Sequence, residues 1–151
     1  FFVGGIAAAA YEIFFRKTVG KPKKNGYRLH ALKFGIVAMI IFILFFKLNL
    51  IWPLIIFGFV TAFAEIKERH DLLPQALWGG IVFFVIYLLA FKLFTFIYPD
   101  FIANKYNLNN LSGLILFGLP VEELLYALSF GTMWAPIYEY VTGAKEKNIK
   151  Q

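Results

Sequence analysis

From Leu29 to Ile51 the chain carries no charge other than Lys33 and Lys47, and from Leu73 to Tyr98 none other than Lys92. A membrane-crossing helix needs about 20 consecutive apolar residues, and both runs meet that length. Composition agrees. The chain is 60% hydrophobic and only 16% charged, with a mean hydropathy of +0.70. A soluble domain is about half apolar and about a quarter charged. Five apolar segments are expected: Phe1 to Phe15, Leu29 to Ile51, Trp52 to Ile66, Leu73 to Tyr98, and Leu111 to Val141. The third is short, but Lys67 and Arg69 can extend from its end to the interface. The predicted fold is an all-α polytopic transmembrane bundle, one integral-membrane domain over residues 1–151. The chain starts at Phe1 rather than Met, so an N-terminal piece is expected to precede it.

The basic residues orient these segments. Arg16, Lys17, Lys21, Lys23, Lys24, Arg28 and Lys33 surround the first loop; Lys67 and Arg69 end the third segment; Lys145, Lys147 and Lys150 lie in the tail. Lys47, Lys92 and Lys105 fall on the opposite side. Twelve against three puts the first loop and the C-terminus in the cytoplasm of a cell-membrane protein. The basic loop reads as topology and contact with anionic membrane lipid. No RNA- or DNA-binding motif accompanies it, so nucleic acid is not an expected partner.

A weak internal repeat is visible at an offset of 53 positions. It pairs Gly5 with Gly58, Ala9 with Ala62, Glu12 with Glu65, Ile13 with Ile66 and Arg16 with Arg69. The last segment echoes it with Gly131, Ala135 and Glu139. Duplicated helical hairpins around a shared centre are a common membrane architecture. Glu12, Glu65 and Glu139 are expected near the inner interface, as ion-pair partners of Arg16, Arg69 and the basic tail. An alternative is that they line the inner mouth of a cavity.

The last segment holds the chemistry. Leu111 to Val141 is 31 residues, or ~46 Å as one helix, against a hydrocarbon core of about 30 Å. Pro120 offers a break, because proline is favoured at the first helical position. The main helix is then expected from Pro120 to about Val141, with Leu111 to Leu119 a short half-helix or re-entrant piece. Glu122 and Glu123 follow Pro120 directly. In water they would be an ordinary helix start, favoured by the dipole. Here apolar residues flank them on both sides, and acids at membrane depth usually face a bundle interior and mark function. Two adjacent carboxylates in a low dielectric titrate as a unit and share a proton, the state a general acid needs. Glu122 is expected to be the more buried, with Glu123 reaching a neighbouring helix. Tyr126, Phe130 and Trp134 follow at four, eight and twelve positions after Glu122. Their faces suit a cationic intermediate, although a packing stripe has the same spacing.

Other chemistries find no support. There is no cysteine, hence no disulfide framework and no thiol nucleophile. His30 and His70 lack metal-ligand spacing, and no phosphate loop or nucleophile elbow is present. No metal and no cofactor are expected. The Glu pair also differs from that of membrane CAAX-type proteases, whose motif places an Arg one turn later. Ala127 stands there, and no histidine is central to a helix.

The stretch GLPVEELLYALSFGTMWAPIYEY resembles the lycopene cyclase domain family, small integral-membrane carotenoid cyclases of heterodimeric bacterial and archaeal type. Their motif is Pro, any residue, Glu, then Glu or Asp at a helix start; Pro120, Val121, Glu122 and Glu123 match it. The family is built from two related halves, each contributing acids. The comparable earlier start here, Trp52 to Ile56, has Pro53 but no acid. The resemblance therefore implies that a partner chain (a second cyclase-half subunit or a homo-oligomer copy) or the N-terminal piece expected before Phe1 supplies the second half, or that this is a divergent member without cyclase activity. It also implies a wholly apolar isoprenoid or carotenoid substrate reached from the bilayer. Glu122 and Glu123 would protonate a terminal double bond and later remove a proton. Two readings from other classes stay open. One is a non-catalytic membrane protein that binds lipid or pigment or serves in assembly. The other is a small proton-coupled transporter.

Overall fold

The computed structural model describes residues 13, 16–19, 28–46, 49–102 and 111–148. The first expected segment, Phe1 to Phe15, lies outside them apart from Ile13, and so do Gly5, Ala9 and Glu12 of the internal repeat. Each remaining apolar run forms a helix. These are α1 (His30–Phe46), α2 (Ile51–Glu68) and α3 (Leu73–Ile97), followed by α4 (Val121–Trp134) and the short α5 (Ile137–Thr142). The expectation of a mainly helical protein is met. Two short antiparallel strand pairs add to it: β1 (Arg16–Val19) with β4 (Lys145–Asn148), and β2 (Ile115–Leu116) with β3 (Leu119–Pro120).

Local chemistry sets the boundaries. Pro74 opens α3 within its first turn, where its missing N–H costs nothing. A single 3-10 turn, His70–Leu72, joins α2 to α3. Arg69 braces that turn: its guanidinium pairs with Asp71 and also donates to the Glu139 backbone carbonyl at 2.8 Å. Gly143 ends α5 in the left-handed conformation at φ 69°, the usual glycine stop.

The last segment corrects two expectations. Leu111 to Leu119 is not a half-helix; its second half is one strand of a tight hairpin. Ile115 opposes Pro120 and Leu116 opposes Leu119, with Phe117 and Gly118 at the turn. Both turn residues have positive φ, 53° and 77°, the combination that a two-residue hairpin loop requires. The helix that starts after Pro120 also stops early. Pro136 has no N–H to continue the helical ladder, so α4 closes at Trp134 and α5 begins at Ile137.

Helix α4 lies between its neighbours, with α3 on one side and α2 on the other, while α1 packs outside α2. Small residues let the backbones approach. A Cβ on Gly131 would lie 2.6 Å from the Gly79 carbonyl oxygen, and one on Gly58 would lie 2.8 Å from Ser129 Oγ. Close helix contact through glycine is the packing mode of helices in lipid.

The distribution of side chains is inverted relative to a soluble domain. Phe96 is 83% exposed, Phe45 77% and Leu44 67%, whereas Glu65, Gln75, Thr61, Glu122 and Ser129 are fully buried. Apolar surface on this scale marks contact with a membrane or another protein. Among the described residues one helical stretch, His70–Ile97, is long and apolar enough to cross a membrane, and α1 is a shorter apolar helix.

Candidate functional site

The two acids stand at the first turn of α4, at the end of the bundle that carries the β2–β3 hairpin. That hairpin folds back over them. Val121 N–H donates to the Leu114 carbonyl at 3.0 Å, and Ser112 N–H donates to Glu122 Oε1 at 2.6 Å. The Ser112 hydroxyl in turn accepts from Leu114 N–H at 3.3 Å. Glu122 is thus fully buried and held by a backbone donor, while its Oε2 has no hydrogen-bond partner among the described residues. Glu123 is half-buried. Adjacent helix positions diverge by about 100°, so it points elsewhere, toward α3. There the Tyr87 hydroxyl donates to Glu123 Oε2.

An aromatic run leads away from the acids. Tyr87 packs on Phe91 with ring centroids 4.8 Å apart and reaches Tyr126 at 6.4 Å. Tyr126 lies 4.4 Å from Phe130, which meets Phe57 of α2 at 6.1 Å. Each of these separations is that of an ordinary aromatic pair. Tyr87 of α3 and Tyr126 of α4 stand nearest the acids, and Phe130 and Phe57 continue the run away from them toward α2. Trp134 sits twelve positions beyond Glu122, or ~18 Å along the helix, and belongs to the other end of α4.

That other end holds a separate polar group. Glu65 is fully buried, and neither carboxyl oxygen has a hydrogen-bond partner among the described residues. The expected ion pair with Arg69 is not formed, because the Arg69 side chain turns to Asp71 and to the Glu139 carbonyl. Glu139 is buried at 3% exposure. Gln75 Nε2 donates to the Ala135 carbonyl at 3.0 Å, beside the Pro136 break. Tyr140 OH donates to Glu68 Oε2 at 2.8 Å and accepts from Ala31 N–H at 3.2 Å. Glu65 stands in the last turn of α2, which runs in the same direction as α4, and lies near the level of Pro136, ~21 Å from Glu122 by helical rise. Glu65 and Glu139 therefore stand apart from the Glu pair.

The model of the lycopene cyclase family matches residues 49–141, more than half of the chain. The chain belongs to the lycopene cyclase family. No curated protein and no solved structure matches it. The matched span includes α2, α3, the β2–β3 hairpin and α4, hence Glu122, Glu123, Tyr87, Glu65 and the aromatic run. Membership carries a carotenoid-cyclase-like function and a place in carotenoid biosynthesis. For a lycopene cyclase family member, two site residues were not evident from the sequence. Tyr87 stands in an apolar stretch where its ring passes for packing, and its one signal is a hydroxyl among aliphatic neighbours. Ser112 acts through its backbone N–H, for which no residue type is a signal.

Proposed function

We propose that the chain is an integral-membrane isomerase that cyclises a linear carotenoid or related isoprenoid by proton-initiated chemistry. The observation that carries this reading is the placement of the family motif: Glu122 and Glu123 open α4 inside the bundle, beside Tyr87 of α3 and Tyr126 of α4. Glu122, shielded and with one oxygen unpartnered, is the proton donor. Its proton adds to a terminal double bond, and the resulting carbocation closes a six-membered ring. Glu123 removes a proton from the ring cation. One proton enters and one leaves, so the reaction is redox-neutral, and this route needs no metal or cofactor. The faces of Tyr87, Tyr126 and Phe130 offset the positive charge, each by up to about 2 kcal/mol when desolvated.

The outward apolar surface supports a bundle that spans the membrane in several segments. The backbone pairing of Arg16–Val19 with Lys145–Asn148 supports the first loop and the tail on one side of it, the cytoplasmic side by charge. The substrate then arrives laterally from the lipid. A second cyclase half, from another chain or a second copy, is the partner this reading implies.

Pigment analysis of a lycopene-producing host that expresses the full-length chain tests the reading. Cyclic carotenoid is expected with the native chain, and none with Glu122→Gln despite normal accumulation in the membrane. Full activity in both Glu122→Gln and Glu123→Gln would reduce the pair to a helix start and overturn the mechanism.

A further inference from the structure

Protonation explains how a ring cation forms, but not which proton that cation loses. We infer that Tyr87 selects the position of the ring double bond by holding Glu123 as the accepting base. This rests on the cyclase reading above. After ring closure the positive charge sits on a ring carbon with several neighbouring carbons that bear hydrogen. In the last step one of those C–H bonds breaks, its electron pair becomes the ring double bond, and the proton passes to a Glu123 oxygen. Loss from each neighbour yields a different double-bond isomer of the same mass. The choice is therefore geometric. A base works within hydrogen-bond reach of its proton, and a misplacement of about 1 Å is kinetically costly.

Glu123 owes its position to a contact across helices. The Tyr87 hydroxyl, from α3, donates to Glu123 Oε2 on α4. The Tyr87 ring is itself fixed, with Phe91 at 4.8 Å, Phe83 at 6.2 Å and Tyr126 at 6.4 Å. Behind it, the α3–α4 seam closes to glycine contact at Gly79 and Gly131. The carboxylate that takes the proton is thus registered against the rigid seam rather than against its own flexible side chain. Glu122 is held independently, by Ser112 N–H, so loosening Glu123 leaves the donor in place.

The experiment compares the native full-length chain, Tyr87→Phe and Glu123→Asp in a lycopene-producing host, and resolves ring isomers by chromatography and absorption spectra. Tyr87→Phe keeps the ring and deletes the tether. Rings should still form, with the isomer ratio changed about tenfold, the size of a lost hydrogen bond to a charged group. Glu123→Asp retracts the carboxylate by one methylene and should also change the ratio. A native-like ratio in Tyr87→Phe, whatever Glu123→Asp shows, would overturn the role of Tyr87 while the cyclase reading stands. Absence of any ring with the native chain would overturn both.

Discussion

Glu65 is the residue whose surroundings least match its chemistry. It is fully buried without a hydrogen-bond partner among the described residues. An unpartnered buried carboxyl costs stability. Glu65→Gln keeps the shape and removes any charge, so it should hold or raise the melting temperature of detergent-solubilised protein by a few degrees, corresponding to about 1 kcal/mol. A clear drop would show that the carboxyl serves a partner. Tyr140 is the opposite case, with its hydroxyl used twice, as donor to Glu68 and acceptor from Ala31 N–H. Tyr140→Phe leaves the Ala31 N–H without that acceptor and should cost about 1–3 kcal/mol in thermal unfolding.

At the scale of elements, the α3–α4 seam positions the site. Its closeness depends on glycine: a Cβ on Gly131 would lie 2.6 Å from both the Gly79 carbonyl oxygen and Phe83 Cβ. Neither atom is the end of a flexible side chain, so the helices themselves must move apart. Gly131→Ala is expected to destabilise by about 1–3 kcal/mol, the usual cost of overpacking. It should also reduce ring formation, because Tyr87 and Glu123 stand on opposite sides of that seam. Retention of native stability and activity would mean that the helices separate without consequence for the acids.

For the whole molecule, the proposed topology puts the first loop and the tail on the cytoplasmic face. Single cysteines placed at Lys23 and at Lys147 test it cleanly, since the chain has no native cysteine. Both should react with a membrane-impermeant reagent only when the cytoplasmic face is open, and a cysteine at Lys92 only from the other face. Reaction of the first two from opposite faces would overturn the arrangement, and with it the β1–β4 pairing as a membrane-side contact.

The helices themselves were legible in the sequence. Leu29 to Ile51 became His30–Phe46, and Leu73 to Tyr98 became Leu73–Ile97, because uninterrupted apolar runs and proline at a helix start are local signals. The Glu pair was legible for the same reason, as two acids where apolar residues surround them. The turn of Phe117 and Gly118 and the stop at Pro136 were written in residue types too, yet the length argument at Pro120 overshadowed them. What only the tertiary structure decided is the orientation of each helix. In α3 almost every position is apolar, so no stripe marks the inward face, and nothing local singles out Tyr87 over Phe83 or Phe91. Burial of Glu65 away from Arg69, the Ser112 N–H on Glu122 and the Tyr87 hydroxyl on Glu123 all depend on which faces meet. That is decided by how closely the glycines of α2, α3 and α4 let the backbones approach, a property of pairs of helices rather than of any one segment.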